Sequence, residues 1–205
     1  MNIGQKNSME SIIRPEHKDW VFYPMKPSAC FQLPKDLENY VIEPKANGWH
    51  CLFVVNEDKL GIYSRNLKVD LTDWRGLEQI RKDFECYVGP QPVVFLAELV
   101  NFEKPSPSAT ARLATSGKGI ANIFDIICSE TIQLSLEERR KYLQKYNPTT
   151  FMPQIKLNNN SNIKMWFKYF IDCYNAEGIV LKKKSSLYYI STNIGIKTPD
   201  WLKIK

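Results

Sequence analysis

The chain has 205 residues, 43% hydrophobic and 12% aromatic, with a formal net charge of +6; this is enough apolar material for one core or a compact pair of lobes, and it excludes a disordered tail. The basic excess suits a polyanionic partner, nucleic acid or nucleotide, without requiring one. Five scattered cysteines with no C-x-x-C pair argue against a disulfide framework or a zinc site. With no signal-peptide core and no apolar run of membrane-spanning length, the expected setting is a reducing cytoplasm.

In chain order, residues 1–24 read as an N-terminal extension and 25–205 as one domain. Alternating or β-branched runs bounded by Gly, Pro, Asn or Asp predict strands at NYVIEPK (39–45), WHCLFVV (49–55), KLGIYS (59–64), PVVFLAELV (92–100), IANIFDII (120–127) and AEGIVLKKK (176–184). The second and third form a hairpin around Asn56 to Lys59. Apolar residues three and four apart predict helices over Trp74–Val88, Ser135–Tyr146 and Ser161–Tyr174, the last two opening on serine caps. The segment Glu103–Gly119, rich in Pro, Ser, Thr and Gly, reads as a surface loop, and its SGKG lacks the spacing of a phosphate loop. The expected class is α+β, with mainly antiparallel sheets and packed helices.

Lys45, in EPKANGWH, sits between a proline and a small polar loop just after a strand. A nucleophilic lysine needs such a fixed backbone, with neighbours that keep it partly uncharged. Other charged or aromatic residues fall at strand ends: Glu98 in FLAELV, Phe124 in IFDII, Glu177 and Lys182 in EGIVLK, Lys203 and Lys205 in WLKIK. Singly, each has an ordinary explanation as a solvated strand edge or a core ring. In order, EPKANGWH, SRN, FLAELV, IFDII, EGIVLK and WLKIK resemble the nucleotidyltransferase motifs of the covalent ligase and capping-enzyme superfamily. They are most similar to those of ATP-dependent DNA ligases, over about Met25 to Lys205; PMKPSACFQLP and SLEERRKYL add to that likeness.

The resemblance implies an ATP-grasp-like nucleotidyltransferase fold and a defined chemistry. Lys45 would attack the α-phosphorus of ATP, expel pyrophosphate and carry AMP as lysyl-AMP, which then serves to seal 3′-OH/5′-phosphate nicks in duplex DNA during repair, replication or recombination. Lys182, Lys203 and Lys205 would contact phosphate. Glu177 and Glu98 would hold Mg²⁺, with Glu98 also near the ribose. Phe124 would stack on the base, Gly48 and His50 would line the nucleotide site, and Glu43 would accept a hydrogen bond from the adenine amino group, a contact that guanine's carbonyl cannot make. Arg65 and Asn66 would meet nucleic-acid phosphates. Lys183, Lys184, Tyr188 and Tyr189 suit either a basic aromatic nucleic-acid surface or a solvated strand face.

The sequence departs from the family pattern at three places. Asn47 replaces the usual Asp, His50 replaces an Arg, and Ala97 replaces a small approach to Glu98. The sequence stops near WLKIK, where family members usually continue into an oligonucleotide-binding (OB) barrel, so the resemblance implies an OB-barrel domain or a barrel protein in trans as a partner. Beside the DNA ligase reading stand an RNA ligase and a degenerate adenylation domain that binds nucleotide or nicks without full turnover.

Overall fold

The computed structural model describes residues 23–56, 59–65, 69–85, 93–101, 103, 106–110, 119–146, 151–190 and 195–205. In chain order the strands are β1 (Lys26–Ala29), β2 (Tyr40–Pro44), β3 (Trp49–Asn56), β4 (Lys59–Ser64), β5 (Val93–Asn101), β6 (Gly119–Ile127), β7 (Ile155–Lys156), β8 (Ile179–Lys183) and β9 (Lys197–Ile204). The helices are α1 (Glu78–Glu85), α2 (Pro107–Thr110), α3 (Leu136–Gln144) and α4 (Ile163–Tyr174). Two sheets result, one ordered β1-β9-β8-β2-β7 and the other β4-β3-β5-β6. Every pairing is antiparallel except β1 with β9, which is parallel. Each of the six predicted strands is present; β1, β7 and β9 are additional, β1 and β7 being short and β1 and β9 each containing a proline.

Strand alternation divides the core into three layers. On β3, Cys51, Phe53 and Val55 pack outward with Phe95 of β5 and Phe84 of α1. Leu52 and Val54 face the other way, meeting Val94, Leu96, Val41, Val180 and Trp201 between the two sheets. On the far side of the five-stranded sheet, Ile42, Ile179 and Leu181 pack under Phe170 of α4. A helix thus covers the outer face of each sheet, and the sheets bury their inner faces against one another.

The helices start and stop on local chemistry. Ser135 caps α3 with a reciprocal capping box: its hydroxyl accepts from the Glu138 N–H, and the Glu138 carboxylate accepts from the Ser135 N–H. For α4 the cap is Asn162, whose side chain accepts from the Met165 N–H, one residue later than the expected Ser161; Ser161 instead accepts from the Asn158 N–H in the preceding turn. Asn175 closes α4 in the left-handed conformation at φ 50°. The predicted helix over Trp74–Val88 is a 3₁₀ turn at Arg75–Leu77 followed by α1, and residues 86–88 lie outside the described set, as do Glu57 and Asp58 of the hairpin turn. Most of the loop between Glu103 and Gly119 also lies outside it.

Asp125 and Arg139 tie α3 to β6. The guanidinium donates from Nε to Asp125 Oδ1 at 2.8 Å and from Nη2 to Oδ2 at 2.9 Å, while Nη1 serves the carbonyls of Leu134 and Ser186. Both side chains are essentially buried, so the pair is a fully bonded fork and not a surface contact. Among the described residues no helix is long and apolar enough to cross a membrane, and Cys30, Cys51, Cys128 and Cys173 are free thiols.

Candidate active site

The alternation that builds the core between the sheets also builds the site. Val41 on β2, Leu52 on β3, Leu96 on β5, Val180 on β8 and Trp201 on β9 all face the gap between the sheets. Two residues along on each strand, in the same facing direction, come Glu43, His50, Glu98, Lys182 and Lys203. Apolar side chains therefore fill one end of the gap and charged ones line the other, leaving a cavity of about 640 Å³. Seven lysines and arginines line it against three glutamates, which suits an anionic occupant.

Lys45 is fixed by its backbone. Its N–H donates to the Gly178 carbonyl and its own carbonyl accepts from the Glu177 N–H, both at 2.8 Å, so the β2–β8 ladder continues past Pro44 and brings the lysine and the carboxylate side by side. Lys45 Nζ contacts Glu177 Oε1, and Lys205 Nζ lies 2.9 Å from Glu177 Oε2. Burial first, then the Lys205 charge, push the Lys45 amine below the ordinary lysine range; Glu98 opposes this, while Lys203 and Arg65 add to it. Glu98 is pushed up to about 7 by burial, offset by the Lys45 charge, the Gly48 N–H and Arg65. A carboxyl that titrates near neutrality and a weakened ammonium thus share one wall.

The opposite end is closed by a second, deeper pair. Lys182 Nζ lies 2.6 Å from Glu43 Oε2 with both side chains almost fully buried. Gln154 donates from Nε2 to Glu43 Oε1 at 2.8 Å. The ammonium sits 4.5 Å from the Phe124 ring centre and 4.2 Å from that of Trp201, a cation held between two π-faces. Trp201 is pinned by its indole N–H donating to Ser186 Oγ at 3.0 Å. Phe124 reaches this place through a bulge: Leu96 pairs with Asp125 and Ala97 with Ile123, which leaves Phe124 unpaired and turned toward the cavity.

Residues 24–205 match the family described as ATP dependent DNA ligase domain. The chain belongs to that family. Among solved structures, the fold of this ligase domain is similar to mycobacterial DNA ligase D complexed with ATP and MES, at TM-score 0.70 and 19% identity over 89% of this chain and 59% of that one. It is similar also to the ATP-dependent DNA ligase of bacteriophage T7 in complex with ATP (TM-score 0.59, 14% identity, 89% and 68%) and to the Chlorella virus DNA ligase-adenylate (TM-score 0.59, 16% identity, 90% and 67%). The likeness at these identities is one of fold, and the chain spans about three fifths of the length of the ligase D structure. No curated protein sequence matches the chain.

Within this ligase domain the structure gathers Glu43, Lys45, Gly48, His50, Arg65, Glu98, Phe124, Glu177, Lys182, Lys203 and Lys205 around the one cavity; Asn66 lies outside the described residues. Lys182 lines the cavity with Lys203 and Lys205, its ammonium lying on Glu43 across the cavity floor. Gly48 is required by the protein itself, since a Cβ there would collide with the Leu99 carbonyl oxygen of β5. Tyr188 is buried, its hydroxyl accepting from the Met25 N–H at 3.0 Å, so it is no part of a surface, whereas Tyr189 is exposed. His50 packs edge-on against Phe124 at 5.2 Å, and burial, Arg65, Lys182 and Lys26 push it down to about 3, so its imidazole is neutral. Gln154, Trp201, Lys26 and Lys197 were not singled out by the sequence. Trp201 had a signal, sharing its facing direction with Lys203 and Lys205; Gln154 had none, since its role depends on a partner 111 positions away.

Proposed function

We propose that this domain is the catalytic adenylation domain of an ATP-dependent DNA ligase that charges Lys45 with AMP and seals nicks in duplex DNA. The observation that carries the reading is the state of Lys45: backbone-locked beside Glu177, buried enough to weaken its ammonium, and faced by Glu98, Lys203 and Lys205. The amine lone pair attacks the α-phosphorus, the N–P bond forms as the bond from phosphorus to the bridging oxygen breaks, and pyrophosphate leaves. Lys203 and Lys205 offset the charge that builds on the α-phosphate. AMP then passes to the 5′-phosphate of a nick, and the 3′-hydroxyl displaces it.

Glu43 accepts a hydrogen bond from the adenine amino group in this reading, with the lone pairs that Gln154 and Lys182 leave on its two oxygens. Phe124 offers the base an apolar face. Glu98 and Glu177 are hard oxygen donors on the cavity wall, and among the described residues no cluster of three or more His, Cys, Asp or Glu forms a dedicated cage. That donor set fits Mg²⁺, which keeps waters and shares phosphate oxygens; bound there, it would supply charge stabilisation at the phosphates.

Incubation with ATP labelled at the α-phosphate, followed by denaturing electrophoresis, tests the reading. The wild-type chain retains label and the Lys45→Ala chain retains none. Label that persists without Lys45 would remove the central assignment.

A further inference from the structure

Gln154 reaches Glu43 because one short segment serves both sheets. At its start Phe151 bridges Ile123 of β6, the Met152 N–H donates to the Ile123 carbonyl at 2.8 Å, and Arg140 Nη2 of α3 donates to the Met152 carbonyl at 2.6 Å. Three residues on, the chain has crossed to the five-stranded sheet, where β7 sets Ile155 opposite Ile42 and Lys156 opposite Val41 of β2. Pro153, with its fixed φ, stiffens the crossing. Continued by one residue, the antiparallel β2–β7 register brings Gln154 opposite Glu43, and opposite residues on neighbouring strands are close enough to pair their side chains. The 2.8 Å bond from Gln154 Nε2 to Glu43 Oε1 is that pair.

Glu43 is therefore gripped from both flanking strands. On the β8 side Lys182 Nζ lies 2.6 Å from Oε2, so each carboxylate oxygen has its own partner and the plane of the group is set by the two together. Glu43 and Lys182 line the cavity, whereas Gln154 does not, so Gln154 acts on an occupant only through Glu43. Its amide is what keeps the carboxylate turned. An ammonium offers three donors and can take both oxygens of a carboxylate, and this one is held in place 4.5 Å from the Phe124 ring centre and 4.2 Å from that of Trp201. Without the amide, Glu43 is free to rotate fully onto Lys182, and its lone pairs turn away from the cavity.

We infer that Gln154 is a positioning residue for base choice: it holds Glu43 so that the remaining lone pairs meet an exocyclic amino group on a bound purine. The inference rests on the ATP reading above and adds to it a residue outside the cavity that sets the selectivity. A purine with hydrogen or a carbonyl at that position brings no donor to those lone pairs.

Equilibrium binding with divalent metal chelated tests this without a covalent step. ATP is compared with purine riboside 5′-triphosphate, which lacks only the amino group, for the wild type, Gln154→Met, Glu43→Gln and Gln154→Met/Glu43→Gln. The wild type should favour ATP about tenfold, the worth of one hydrogen bond to a charged acceptor. Gln154→Met should bring that ratio to within about threefold by weakening ATP alone, the analogue staying within about twofold of its wild-type affinity. In the Glu43→Gln background the same substitution should move the ratio by less than about twofold, because its effect passes through Glu43. Gln154→Glu, which replaces the donor by a second carboxylate opposite the first, should lower the ratio as Gln154→Met does and supplies the test where that variant does not fold. Equal weakening of both nucleotides, an unchanged ratio, or a fall in the ratio as large without Glu43 as with it would overturn the inference and leave the base contact of Glu43 intact. A folded wild type that does not distinguish the two nucleotides, or binds neither, would overturn both. Absence of Lys45 labelling with the binding pattern as expected would instead remove the adenylation reading and leave Gln154 in its role.

Discussion

Truncating Glu43 would strand the Lys182 ammonium between the Phe124 and Trp201 rings with no carboxylate beside it. Breaking a buried pair from one side costs about 3–5 kcal/mol, whereas replacing both members with apolar groups costs far less. Glu43→Ala should therefore lower stability by that amount in a denaturant titration, and Glu43→Ala/Lys182→Met should recover most of it. A double variant as unstable as the single one would show that the pair is not what holds these residues. His50 makes a second residue-scale prediction. Its folded-state value of about 3 lies below the ordinary 6.5, so between these the unfolded chain binds a proton that the folded chain does not. The stability this contributes is complete above about pH 6.5 and is lost toward pH 3, at about 1.4 kcal/mol per pH unit. Glu98 works in the opposite sense, its folded value of about 7 favouring the folded chain as pH falls from 7 to 4.5. The two nearly cancel in the wild type between pH 6.5 and 4.5. In His50→Gln only the Glu98 contribution remains, so that chain should gain stability relative to wild type on going from pH 6.5 to 5.5, by about 1 kcal/mol. An unchanged difference between the two chains would place His50 in a solvated setting.

At the scale of elements, α3 is fastened twice, and the two fastenings differ in strength. Ser135→Ala removes the capping box and should cost about 1 kcal/mol. Asp125→Ala leaves the buried Arg139 guanidinium without its fork and should cost about 3–5 kcal/mol, detaching α3 from β6; a thermal melt of the two variants orders them, and equal losses would contradict the buried fork. The contrast also shows what the sequence disclosed. The Ser135 cap is local, a serine at the start of an apolar helical period, and was legible, although its reciprocal Glu138 contact was not named. The Asp125–Arg139 fork was not, because Asp125 in IFDII reads as an ordinary strand residue until the bulge at Phe124 turns the following residue inward. The long strands were legible from their alternation, which two-sided burial enforces; β1 and β7 were not, since their pairing comes from neighbours distant in sequence. For the site, ordered motifs located the residues, but Glu43 and Lys182 meet because β2 and β8 pair with Val41 opposite Lys182 and Glu43 opposite Val180. That register makes the two charges diagonal neighbours, a fact carried by the sheet and not by either motif.

The molecule as a whole presents a positively lined cleft between two sheets, with seven basic side chains against three carboxylates. Binding of nicked duplex should weaken steeply with added salt, because each phosphate neutralised releases counterions. Arg65→Ala should lower the slope of log affinity against log salt concentration by about 1, and an unchanged slope would place Arg65 away from the polynucleotide. The most direct test of the account lies at one atom. The wild-type chain charged with ATP in Mg²⁺, digested and sequenced by mass spectrometry under conditions that preserve an acid-labile N–P bond, should carry AMP on the side chain of Lys45 and nowhere else. AMP on Lys203 or Lys205, or a nucleotide held only non-covalently, would contradict it.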